Sequence, residues 1–135
     1  MLTVAAGAAT GARDFDCQRV GVPCQQACPA HTDIPGYLEA IAAGDYERAY
    51  RINLCDNVFP GVLGRVCTRP CEEVCRHGAE GLGEPVAICT SKRAAADFRD
   101  GCEPIVLERW FPDSGKRVAV AGAGPAGLAI ARELA

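Results

Sequence analysis

Three features of the sequence predict a mostly α protein with the start of an α/β unit at its C-terminal end. Short runs of helical periodicity fill the stretch from Thr32 to Phe98, most opened by a capping residue or proline and closed by glycine. Nine cysteines in 135 residues interleave with these runs, most of them three or four residues apart and several beside proline. A short β-branched run, Lys116 to Ala121, leads into a glycine-rich turn and an amphipathic start.

Residues 1–16 are rich in Ala and Gly without periodicity and are expected to be disordered or extended. Met1–Ala12 has neither the positively charged start nor the longer apolar core of a secretory signal. Residues 17–101 are read as one helical cysteine-bearing domain, whose first stretch runs from Cys17 to Pro29. A helical hairpin follows. Thr32 or Asp33 caps its first helix, Pro35 takes the first turn, Ile34, Leu38 and Ile41 recur at helical spacing, and Gly44 closes it. Asp45 caps the second helix through about Leu54, with Tyr46, Ala49, Tyr50 and Asn53 along one face, the tyrosines read as core packing.

After the turn 57–61 comes a short apolar segment, Val62 to Val66. A helix of about two turns is expected from Pro70 to His77, with Glu72 and Glu73 at its start, Arg76 and His77 at its end and Gly78 as its stop. So short a helix does not persist unaided. Pro85 is expected to start a longer alanine-rich helix, Val86 to about Phe98. Residues 102–115 read as a linker, and 116–135 as strand, turn and part of a helix.

An apolar fraction of 49% suits a globular core, but aromatics make up only 6%, so the interior is left to small aliphatic residues or to something not made of protein. A net charge of −3 without a basic block gives no reason to expect nucleic acid, and no apolar run approaches the length of a membrane span.

The odd cysteine count and the missing export signal favour metal ligation over a disulfide framework. Residues four apart on a helix share a face, so Cys24 with Cys28, and Cys67 with Cys71 and Cys75, are each expected to present thiols to one region. Five cysteines in two groups exceed one zinc site and fit iron–sulfur ligation better, although three-residue spacers do not exclude zinc. Adding Cys17, Cys55 and Cys89 makes enough for two four-thiolate clusters; Cys55 reads equally well as a small buried hydrophobe, and Cys102 has no role. Arg65, Arg69, Arg76 and Lys92 lie close by in sequence, either as compensating charge or as ordinary solvated surface.

The series Gly122-Ala123-Gly124-Pro125-Ala126-Gly127 has the Gly-x-Gly-x-x-Gly spacing directly after a predicted strand and opening a helix. In that setting it reads as a dinucleotide-binding turn: the glycines allow the tight turn, close approach of a pyrophosphate, and close helix–strand packing. The acidic residue expected to hold a ribose about twenty residues further on would fall past Ala135, so this Rossmann-type unit is expected to be truncated.

Pro23-Cys24 and Cys28-Pro29, Ile34-Pro35-Gly36-Tyr37, Phe59-Pro60-Gly61, Gly64-Arg65-Val66-Cys67, Pro70-Cys71-Glu72 with Cys75, Glu84-Pro85-Val86 and the glycine turn together resemble the glutamate synthase small-subunit family. The N-terminal region of dihydropyrimidine dehydrogenase is similar. The resemblance implies a helical domain holding two [4Fe-4S] clusters, then an FAD domain and an NAD(P)H domain. Hydride would pass from NAD(P)H to FAD, and single electrons would leave through the clusters to a partner subunit or domain. It implies Cys24 and Cys75 on one cluster and Cys28, Cys67 and Cys71 on the other, with the FAD pyrophosphate on Gly122, Gly124 and Gly127 beside Pro125 and Ala126. Two departures stand out. Relatives place two cysteines ahead of the Cys24 position, where this chain has only Cys17, out of register; and they draw a non-cysteine ligand from the spot matching Lys92, for which Cys89 is the better candidate here.

The resulting expectation is a cytoplasmic electron-transfer part of an NAD(P)H-dependent iron–sulfur flavoprotein, with metal ligands Cys17, Cys24, Cys28, Cys67, Cys71, Cys75 and Cys89 and no catalytic residue of its own. Two rivals stand: a cluster-bearing subunit of a hydrogenase or formate dehydrogenase complex, and a non-catalytic zinc-stapled adaptor.

Overall fold

Proline and aspartate set the helix starts. The computed structural model describes residues 21–99, 102, 105–106 and 111–134, so the expectations for residues 1–16 and for Cys17 lie outside the described residues. Helix α1 is Pro23–Ala27, α2 is Ile34–Ala42, α3 is Tyr46–Asp56 and α4 is Pro60–Val66. Prolines lead α1 and α4, where a missing N–H costs nothing. Asp33 caps α2 by accepting the Gly36 amide at 3.0 Å, and Asp45 caps α3 by accepting the Arg48 amide at 2.9 Å. Each such cap contributes about 1 kcal/mol. Gly44, at φ +76°, makes the left-handed turn between them.

The apolar segment expected at 62–66 is the body of α4. The expected two-turn helix Pro70–His77 is instead two single turns, α5 at Pro70–Glu73 and α6 at Arg76–Ala79. Cys75 interrupts them in an extended conformation (φ −63°, ψ 124°), its carbonyl accepting the Ala79 amide and its sulfur the Val86 amide. The alanine-rich helix α7, Ile88–Asp97, begins later than expected, and Pro85 lies outside it. Its N-cap position is Ala87, which has no capping group; Glu72 of α5 accepts the Cys89 amide at 2.8 Å instead.

Helix α7 packs on α2, α3 and most closely on α4, while α1 rests on α5. Ala40, Ala49 and Ala95 are wholly buried, so small side chains bring the helices close. On α2 the buried residues are Ile34, Tyr37 and Ala40, with Leu38 and Ile41 only partly covered. Tyr46 and Tyr50 are also partly covered; Tyr46 stacks on Phe98 at 5.5 Å, and the Arg99 guanidinium lies 4.5 Å from the Tyr50 ring centre. No helix among the described residues is long and apolar enough to cross a membrane.

The C-terminal unit departs from expectation. Helix α8, Pro125–Leu134, forms, but residues 112–123 have no regular secondary structure, and no strand occurs among the described residues. A strand needs a neighbour to satisfy its backbone, and Val118–Ala121 has none here. No described residue of α8 is buried, and its Arg132 donates to the Leu54 carbonyl at 3.2 Å.

Candidate metal centre

The cysteines lie at helix boundaries, and this overturns the expectation that each i, i+4 pair shares a helix face. Cys24 is inside α1, whereas Cys28 is the extended residue that ends it. Cys67 ends α4 in the same extended way, and Cys71 is the second residue of α5. Pro29 and Pro70, each soon after a cysteine, keep the chain from continuing its helix. The thiols therefore group across the sequence.

Cys28, Cys67 and Cys71 line one cavity, with Thr32, Tyr37, Asn57 and Lys92 among its other walls. Cys89, only 1% exposed, lies within electrostatic reach of Cys67 and Cys71. Cys24 instead lies within electrostatic reach of Cys75 as well as of Cys28. Cys55 is exposed on α3, its thiol donating to the Arg51 carbonyl at 3.5 Å, so it is neither buried nor near the others. Cys102 is exposed, beside Glu47. All eight described cysteines are free thiols. Among the described residues no three His, Cys, Asp or Glu side chains close on a point as ligands of a single metal ion would.

Burial pushes the Cys89 thiol up to about 12, against the pull of Lys92. It also raises Cys71, helped by the neighbouring Cys28 and Cys67, and raises Cys24, helped by Cys75 and Cys28. Cys75 goes the other way: the Val86 amide foremost, with those of His77 and Gly78, holds its thiol below the ordinary value despite burial. Val86 N lies 3.5 Å from that sulfur, and Arg69 N lies 3.4 Å from the Cys67 sulfur. Arg69 adopts φ +66° in the turn that presents this amide. Crowded, half-desolvated thiols cannot all ionise unless positive charge is placed among them. Three of them on one cavity wall, with Cys89 close behind and backbone donors aimed at sulfur, suit iron–sulfur ligation. The second group is Cys24 and Cys75 within the described residues, with Cys17 outside them.

The cavity wall also contains Thr32, Tyr37 and Asn57, whose sequence readings, as cap, motif residue and turn, gave them no place beside the thiols. The Cys28 thiol lies 3.7 Å from the Thr32 hydroxyl, which also accepts from the Asn57 side-chain amide. The Tyr37 hydroxyl donates to the Ile88 carbonyl at 3.2 Å, tying α2 to the start of α7, and burial raises its pKa. Thr32 is 4 residues from Cys28, but Asn57 and Ile88 are 25 and 51 residues from their partners, so no local spacing announces those two contacts.

At the glycine turn Gly122 adopts φ +110°, and open space surrounds the Cβ positions of both Gly122 and Gly124. A side chain at Gly127 would run into the Gly122 carbonyl and meet Val120. The first two positions are therefore open to an approaching group, and the third sets close packing of α8 on the segment before it.

Comparison with known proteins gives one matching family, described as dihydropyrimidine dehydrogenase domain II, 4Fe-4S cluster, over residues 3–102. The chain is 42% identical to the NADP(+)-dependent formate dehydrogenase subunit beta of Moorella thermoacetica, over 86% of this chain and 19% of that protein. It is 41% identical to the NADPH-Fe(3+) oxidoreductase subunit beta of Geobacter sulfurreducens, over 84% of this chain and 16% of the other. With the glutamate synthase [NADPH] small chain of Azospirillum brasilense the identity is 36%, over 87% of this chain and 25% of that one. The chain thus spans between a sixth and a quarter of the length of these relatives.

Proposed function

The chain belongs to the 4Fe-4S domain family of the dihydropyrimidine dehydrogenase type, and from that premise we propose that it is the electron-transfer part of an NAD(P)H-dependent iron–sulfur flavoprotein oxidoreductase. The observation that carries the reading is the cavity lined by Cys28, Cys67 and Cys71, with the buried Cys89 thiol within electrostatic reach of the last two. Those four would hold one [4Fe-4S] cluster, and Cys24 and Cys75, with Cys17, would hold a second. Bound there, the clusters would supply one-electron carriers between FAD and a partner subunit or domain that receives the electrons. Gly122, Gly124, Pro125, Ala126 and Gly127 would form the pyrophosphate end of the FAD site, the α8 amides facing the anion.

The chain's own residues do the rest. Tyr37 and Ile34 exclude water from the cavity, both buried to within 2% of complete. The amides of Val86, His77, Gly78 and Arg69 donate to sulfur and offset negative charge. The formate dehydrogenase and Fe(3+) oxidoreductase beta subunits favour assembly with a separate catalytic subunit over glutamate chemistry, since their identities exceed that of the glutamate synthase chain.

Elemental analysis tests the assignment. The anaerobically purified chain is expected to hold about eight iron and about eight acid-labile sulfide, as two cubanes require. Stoichiometric zinc without sulfide would falsify it in favour of the zinc-stapled adaptor. Four iron per chain would leave the cavity cluster alone and remove Cys17 from the ligand set.

A further inference from the structure

Four basic residues lie near the cysteines in sequence, and the structure separates them. Arg65 is ion-paired with Asp97 at 2.8 Å, Arg69 with Glu72 at 3.9 Å and Arg76 with Glu80 at 3.6 Å, and all three side chains are more than 40% exposed. Lys92 is different. It is 6% exposed and lines the cavity of Cys28, Cys67 and Cys71. It sits almost one turn after Cys89 on α7, whose thiol feels its charge.

Burying an ammonium is expensive unless an opposite charge meets it. Among the described residues no carboxylate pairs with Lys92, and the acid groups facing it are the thiols of the cavity. An anionic group held in the cavity would lie beside this buried cation as its nearest counter-charge. Lysine presents a compact point charge on a flexible stem, suited to standing beside an anionic group without ligating it.

We propose that Lys92 is the charge-compensating residue of this cavity, acting on the cluster held by Cys28, Cys67, Cys71 and Cys89 to raise its reduction potential. The inference rests on the cluster reading above. Reduction adds one electron, and so one negative charge, to a group already ringed by thiolates; a fixed cation at the wall stabilises the reduced form more than the oxidised one. Net charge and hydrogen bonding at sulfur are the levers that set such potentials. The Cys24 and Cys75 site does not share the residue, since Lys92 lies on the wall of the other cavity.

The test compares wild type, Lys92→Met and Lys92→Arg, purified anaerobically, by iron and sulfide content and by dithionite titration followed by electron paramagnetic resonance. Both variants are expected to keep wild-type iron. In Lys92→Met one of the two signals should become about tenfold harder to reduce, a midpoint about 59 mV lower for a one-electron couple. Lys92→Arg should titrate with wild type, and the second signal should not move in either variant. Where Lys92→Met loses iron, the uncharged but polar Lys92→Gln takes its place. Equal potentials in wild type and the neutral variant overturn the proposal, as does loss of four iron from Lys92→Met, Lys92→Gln and Lys92→Arg together. A wild-type chain without iron and sulfide sinks the cluster reading itself.

Discussion

Replacing Cys71 with alanine is expected to remove about four iron per chain and much of the helical circular-dichroism signal on exposure to air or chelator. Cys71 is 5% exposed and meets Cys28, Cys67 and Cys89. Three of the buried apolar side chains of the described core are cysteines, Cys71, Cys75 and Cys89, and the aromatic among them is Tyr37. The apolar burial that one sulfur provides is worth only about 1 kcal/mol. A lost cluster is far more costly, because metal-binding free energy in such domains is folding free energy. The single-turn helices α5 and α6 depend on it most, being too short to persist alone. Cys102→Ala, at an exposed thiol beside Glu47, should change neither iron content nor melting. Wild-type iron and melting in Cys71→Ala would remove that residue from the ligand set.

A second large effect is expected at Gly64, which touches no predicted ligand. It is buried on α4 where that helix crosses α7, and a Cβ there would stand 2.8 Å from the Arg93 amide nitrogen and 3.0 Å from its Cα. Backbone atoms cannot swing aside as a side-chain tip can, so the helices must separate. Gly64→Ala should cost about 1–3 kcal/mol from overpacking, reduced by the roughly 1 kcal/mol that alanine gains over glycine within a helix. Gly64→Leu should cost more and also lower the iron content, since α7 carries Cys89 and Lys92 to the cavity. Gly61→Ala is the milder control, its Cβ meeting two side chains, the Ala96 methyl at 3.3 Å and the Arg65 guanidinium at 3.8 Å, and no backbone. Thermal melts of the three variants decide it; a Gly64→Leu protein that melts with wild type would show that the crossing yields freely.

Local chemistry was legible in the sequence, and long-range chemistry was not. Asp33, Asp45 and Gly44 announced their helix ends because a cap and its amide lie three residues apart. The family resemblance, read from the proline, cysteine and glycine motifs in combination, was correct. The grouping of thiols was misread from spacing, since the i, i+4 rule assumes one continuous helix, and Cys28, Cys67 and Cys75 are all extended. Glu72 capping α7 joins residues too far apart for any helical rule. The strand before Gly122 was expected from its β-branched composition, but strand formation depends on neighbours that composition does not supply.

The Glu72 cap also bears on the order in which the molecule can be made. Cys28 meets Cys67 and Cys71 only when two distant chain segments come together, and Cys89 joins them only when α7 docks with the Cys89 amide on Glu72. Closing loops of that length costs entropy before any contact repays it. During synthesis the early cysteines emerge well ahead of α7, so the grouping of the thiols belongs to the last stage of folding. Until then, thiols that end up buried stand open to solvent and to oxidation.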